Sequence, residues 1–266
     1  GFYPLPFDRE DLAARKPYLQ IRGDVHRIGP TVEPGWPRVF DRTAAPSASQ
    51  SASNGGATPT SRLDLANWLT DRPNPLTARV WVNRIWHYHF GRGIVSTPGD
   101  FGVAGSPPSH PELLDWLAVE LIESGWSTRH IHRLILNSST YRQSSAVADR
   151  RCHEIDPENS LLWHWQPRRL EAEAIRDSML AITGDLDPTV GGKSVPVEQF
   201  DTTSRRSLYL FQKRGAPPEV QSLFDGPREV AESCPSRHTS TTALQSLYLL
   251  NNTFAAQRAN RLAARV

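Results

Sequence analysis

NPLTARVWVNRIWHYHFG, running from Asn74 to Gly91, decides the fold class. Asn74 followed by Pro75 supplies an N-cap and a first-turn proline, and Gly91 supplies a stop, so the segment between them reads as one helix. Wound at about 3.6 residues per turn, Arg79, Asn83 and His87 fall at i, i+4 and i+8 and form a polar seam. Val80, Trp81, Val82, Ile85 and Trp86 cover most of the remainder. The helix therefore reads as buried, and its enclosed polar groups need partners. Asp100 or Asp115 is expected to accept from Arg79 or Arg84.

Working outward, the same end signals recur. Ser61 with Asp64 imitates a capping box ahead of LDLANWL, and Ser109 with Glu112 repeats it ahead of PELLDWLAVELIES. There Leu113, Leu114, Leu117 and Leu121 make one stripe, and Gly125 is the expected C-terminal cap. Ser127 opens a further helix around Ile131, Leu134 and Ile135. Another is expected over residues 167–183 with Gly184 behind it, and a last helical region from Thr242 should break near Asn251 and Asn252. Strand signals are few: YLQIRG at 18–23, LLWHW at 161–165 and RRSLYLFQ at 205–212. The fold class is thus mainly α, a multi-helix domain with a minor β component whose short strands lie near 161–165 and 205–212.

Composition divides the chain. Residues 1–43 are rich in proline and read as an extended arm or connector, and AAPSASQSASNGGATPT at 44–60 has no charge or large side chain to bury, so it reads as a flexible linker. The helical domain is expected over 61–266. Thirty Lys and Arg side chains against 28 Asp and Glu leave +2, a field too weak to recruit nucleic acid. A local patch of Arg150, Arg151, Arg168 and Arg169 is the exception to test. No run of some eighteen apolar residues offers a membrane span, and GFYPLPFDRE lacks the pattern of a signal peptide. The chain has no initiator Met, so an export signal is expected upstream. Eight Trp against one Met point to rigid aromatic packing, and such rings also line sugar sites. Cys152 and Cys234 fit either one disulfide or two unrelated thiols.

Several fragments resemble motifs without their context. The DFG at Asp100 to Gly102 stands without an HRD loop or strand lysine. DPTVGGKS, Asp187 to Ser194, follows a helix rather than a strand and has Asp187 where a phosphate loop needs glycine, so it reads as a surface turn. His87 with His89, and His130 with His132, are separated by about 200° on a helix and cannot jointly grip a metal. No metal site is assigned, although His110, His132 and His238 with Asp100 or Asp115 have suitable donor types if different helices gather them. In RRLEAEAIRD, Glu173 and Arg176 at i, i+3 read as a helix pair, and Glu173 with Asp177 lies one turn apart. Ser138, Ser139 and Ser144 lie in no G-x-S-x-G elbow, and no C-x-x-C-H attaches haem.

Taken together, NPLTARVWVNRIWHYHFGRGIVSTPGDFG, PPSHPELLDWLAVELIESGW, HRLILNSSTYRQSS, RRLEAEAIRDSMLAITGDLD, SLYLF, LFDGP and TSTTALQSLYLLNNTFAAQRA resemble the planctomycete PSD domain family. The resemblance covers nearly everything from Ser61 onward. It implies a C-terminal domain of unknown function in exported multidomain proteins that often carry cytochrome-c-type domains. By implication the setting is extracytoplasmic, periplasmic or cell-surface. The partners are then neighbouring domains of the same polypeptide, and haem belongs to a neighbouring domain, with no cofactor in this chain. Arg79, Asn83, Arg84, Trp86, Asp100, His110, Asp115, His132, Arg133, Arg176 and Asp177 match the residue types of the family pattern, which carries no established catalytic residue.

Two readings follow. In the first, the domain is an accessory or binding module for a partner domain or a glycan, with Arg79, Asn83, Arg84, Arg133, Arg176 and Asp177 as binding candidates. In the second, it is an extracytoplasmic enzyme acting on carbohydrate through a pocket of Asp100, His110, Asp115 and His132.

Overall fold

The computed structural model describes residues 18–32, 37, 62–146, 149–212, 219–226, 237 and 239–265. The expected linker at 44–60, His238 and Cys234 lie outside these residues. The chain divides into two compact units, Gly1–Val82 with Glu112–Ile131, and Asn83–Pro111 with His132–Val266. Among the described residues there are nine α-helices and one two-stranded sheet, so the protein is mainly α with a minor β component.

In the first unit, β1 (Tyr18–Gln20) pairs antiparallel with β2 (Ile28–Thr31), Tyr18 opposite Thr31 and Gln20 opposite Ile28. YLQIRG thus supplies one strand and the turn that follows. Helix α1 (Arg62–Thr70) buries no side chain. Helix α2 (Thr77–Phe90) starts where expected: Asn74 Oδ1 accepts the Leu76 and Thr77 N–H at 3.0 and 3.1 Å. The division between the units falls within α2 and again within α4 (Thr128–Asn137). Helix α3 (Pro111–Glu123) buries Leu114, Leu117, Ala118 and Leu121, the core of this unit together with Ala78, Val82 and Ile131. Gly125 closes α3 as expected. Its φ of +68° suits glycine, its N–H donates to Ile122 O at 3.1 Å, and the Trp126 N–H reaches Leu121 O at 2.8 Å. These are the two bonds that satisfy orphan carbonyls at such an end.

In the second unit, α6 (Ala172–Thr183) is central. It packs against α9 (Thr253–Ala263), α7 (Glu219–Leu223) and the short 3₁₀ turn Ser207–Tyr209, while α8 (Ala243–Asn251) packs on α9. The last helical region breaks as predicted: Asn252 ends α8 and caps α9, its Oδ1 accepting the Phe254 and Ala255 N–H. Helix α5 (Arg150–Ile155) is capped by Asp149. The apolar core here includes Ile85, Trp86, Ile94, Val95, Leu180, Leu210 and Phe254.

Four expectations are corrected. Residues 161–165 form no strand: Asp156 takes the Ser160 and Leu161 N–H, Asn159 clamps both the N–H and the C=O of His164, and Leu162 turns at φ +56°. Residues 205–212 hold a 3₁₀ turn flanked by two single bridges, Asp187 with Arg205 and Val195 with Leu210. Alternation there has no partner strand long enough to make a ladder. Helix α6 starts at Ala172 rather than near Pro167: Glu171, its N-cap residue, has extended backbone, and Arg168 and Arg169 ahead of it send their side chains to other segments. Helix α2 is not buried all round: Trp81 and Tyr88 are 45% and 49% exposed, and Trp81 Nε1 donates to Thr128 Oγ1 at 3.3 Å.

Candidate functional site

Two members of the polar seam of α2, Arg79 and Asn83, have their partners. Asn83 has no solvent exposure, and its amide spans the loop that follows the helix: Nδ2 donates to Val95 O at 3.1 Å and Oδ1 accepts the Val95 N–H at 2.8 Å. In the first unit, Arg79 Nε donates to Asp115 Oδ1 at 2.6 Å while Nη1 donates to Pro75 O. That hydrogen bond and charge hold the Asp115 carboxyl below the usual range. The pair is partly solvated, and contacts of this kind contribute about 0.2–1 kcal/mol. Its geometry ties α2 to α3.

Asp100, His110 and His132 also have separate partners. Asp100 is exposed, and its Oδ1 accepts the Gly102 N–H at 2.7 Å within its own turn. Thr97 Oγ1 holds that turn by donating to Asp100 O and accepting the Ser106 N–H. His110 Nδ1 lies 2.9 Å from Ser109 Oγ, which also donates to Ile94 O. His132 Nδ1 meets His89 Nε2 at 2.7 Å, so one ring nitrogen donates and the other accepts. Burial lowers the His89 pKa, with His132 and Arg168 adding to the effect. His130 pairs instead with Glu120. Arg84 and Arg133 are exposed.

Arg176 and Asp177 form a buried staple. Arg176 donates to the carbonyls of Arg205, Phe200 and Thr203 at 2.7–3.0 Å, and Asp177 Oδ1 accepts from both the N–H and the hydroxyl of Ser207 at 2.7 Å. Burial pushes the Arg176 pKa down. These contacts join α6 to the segment at 200–207. The expected Glu173–Arg176 helix pair is thereby corrected, because Glu173 turns to Arg237, accepting two bonds at 2.7 and 3.2 Å. A guanidinium fork fits a carboxylate better than a flexible i, i+3 contact does.

A groove of about 610 Å³ lies within the second unit. None of the residues first singled out as catalytic or binding candidates lines it. At one wall α2 ends at Gly91, where Arg168 Nη2 donates to Tyr88 O and His89 O at 2.5 and 2.6 Å, occupying carbonyls that a helix end leaves open. Arg169 forms the next wall. It donates to Asp225 Oδ2 at 2.5 Å and lies 5.4 Å from the Phe224 ring centroid. Asp225 also accepts from the N–H and hydroxyl of Ser240. Arg237 adds a contact of 3.4 Å to Glu171 beyond its Glu173 fork. His87 lines the groove with its Nδ1 buried and, among the described residues, without a hydrogen-bond partner, and burial, then Arg168, lower its pKa.

Of the four arginines weighed as a local basic patch, Arg150 pairs with Glu154 and Arg169 with Asp225, while Arg168 donates to backbone carbonyls at the end of α2. Among the described residues no three His, Cys, Asp or Glu side chains gather as a metal-holding group, and no helix is long and apolar enough to cross a membrane. The groove was hard to foresee. In the sequence Arg168 and Arg169 read only as basic residues, Asp225 only as part of LFDGP, and Glu171 and Arg237 carry no local signal.

The fold and groove define a mainly helical domain with a groove walled by ion-paired side chains. Residues 61–266 match the family PSD1, described as "Protein of unknown function (DUF1553)", and the chain belongs to that family. No curated protein and no solved structure matches it.

Proposed function

We propose that the domain is an accessory binding module of an exported, multidomain, redox-linked protein, that it recognises a glycan, and that neighbouring domains of the same polypeptide are its other partners. The setting rests on the resemblance to planctomycete proteins with cytochrome-c-type domains; the ligand class rests on the groove. Its main ion pairs, Arg169 with Asp225 and Arg237 with Glu173, are closed, and closed pairs still offer outward N–H groups and carboxylate lone pairs. A hydroxyl both donates and accepts, so a sugar meets such a wall without stranding either member. Tyr88, half exposed on the same wall, adds a ring face for stacking. The carrying observation is this wall of side chains already held by their own ion pairs.

Calorimetric titration of the protein with a panel of oligosaccharides, alongside pull-down with the upstream domains, tests the proposal. Saturable glycan binding without product formation is expected. Sustained turnover of the bound sugar would favour the enzyme reading instead, and Asp100→Asn and His110→Ala would then be the first variants to assay.

A further inference from the structure

Four guanidinium groups line the groove, and three of them face carboxylates: Arg92 with Glu158 at 3.1 Å, Arg169 with Asp225 at 2.5 Å and Arg237 with Glu173 at 2.7 Å. Arg168 differs. Both of its hydrogen bonds leave from Nη2 and end on backbone carbonyls, and among the described residues no carboxylate is paired with it. Carbonyls orient a guanidinium without neutralising it. The helix end they belong to offsets at most about half a charge. Nε and Nη1 retain N–H groups, and the side chain is exposed. Gly91, with φ +80°, ends α2 beside Arg168, and a Cβ there would be only in ordinary contact with its guanidinium.

The surroundings narrow the ligand. His87 is held towards its neutral form, so it adds no second cation. Glu171 lines the same groove and is 44% exposed, so a densely charged polyanion would meet repulsion a short way from Arg168. One oriented cation set among closed ion pairs and a half-exposed aromatic ring suits a ligand with isolated negative charges separated by hydroxyls. From this geometry we infer that the groove binds an acidic glycan, and that Arg168 receives the carboxylate of a uronic-acid unit. An acidic peptide would share the carboxylate chemistry but lacks the hydroxyls that match the closed pairs. The inference rests on the glycan reading and adds the charge preference and the residue responsible.

The test is titration of the protein with three probes: a tetragalacturonate, its carboxyl-reduced neutral counterpart and a tetraglutamate peptide. At low salt the acidic sugar is expected to bind about tenfold more tightly than the neutral one, as one charge-assisted hydrogen-bonded contact provides. That preference should shrink to about twofold or less in Arg168→Gln and in 0.5 M salt, since an exposed charge is screened within about 10 Å already at 0.1 M. Arg168→Lys should retain part of it, and Glu171→Gln should strengthen acidic-sugar binding. Equal binding of the two sugars overturns the inference and leaves the glycan reading standing. Binding of the peptide alone, or of no probe, overturns both. Undiminished preference in Arg168→Gln removes Arg168 from the role; if that variant unfolds, Arg168→Lys and Glu171→Gln decide, and no change in either overturns the assignment.

Discussion

Asn83→Ala removes the clamp between α2 and the loop that follows it. The side chain is fully buried, and it supplies the partners for both the N–H and the C=O of Val95, a residue itself only 2% exposed. Alanine leaves those two backbone groups unpaired away from water. Each such group costs about 1–3 kcal/mol, and partial relaxation of the loop brings the expected loss to about 2–4 kcal/mol. The readouts are the midpoint of urea unfolding and the exchange rate of the Val95 amide hydrogen, which should lose its protection. Arg84→Ala, exposed and one residue along, should change stability by less than about 0.5 kcal/mol. Gly93→Ala supplies an independent route to the same lock, because a Cβ at Gly93 would collide with Val95 O and lie 2.8 Å from Asn83 Nδ2. A loss below about 1 kcal/mol in Asn83→Ala, with Val95 still protected, would refute the reasoning.

Three further outcomes follow from buried or paired groups. Gln221 is 2% exposed and among the described residues neither its Oε1 nor its Nε2 finds a partner, so Gln221→Met should raise the melting temperature through about 1–2 kcal/mol; destabilisation would mean that the amide is satisfied. Asp185 accepts from Thr183 and lies against Arg258 and Arg261, contacts that hold its carboxyl below the usual range. Its contribution is therefore present above the unfolded-state pKa of about 4 and lost as pH falls through the lower folded value, and Asp185→Asn should flatten the acid limb of a melting-temperature profile. Burial lowers the His89 pKa, so folding favours the neutral ring and stability should fall as pH drops below about 6.5; His89→Gln should reduce that fall, with the His132 ring resonance moving in NMR.

The sequence by itself determined the elements whose signals are local. Asn74, Gly125, Gly184 and Asn252 each act on backbone groups within a few residues, so the helix ends at these positions were legible without knowing what lies beyond them. The leucines of α3 were legible because burial repeats with the helical period. The alternation in RRSLYLFQ misled for the complementary reason. A strand exists only if another strand arrives beside it, and here Asp187 and Val195 supply one bridge each. The seam of α2 was visible as a demand for partners, yet its partners were open: Asp115 for Arg79, and for Asn83 a backbone segment that no residue type announces. Only the tertiary structure brought Arg168 to the end of α2, Arg237 to Glu173 and His132 to His89, contacts that span 79, 64 and 43 residues of chain. Such encounters depend on how helices pack, and packing is set by the combined burial of many side chains rather than by the identity of the two that finally meet.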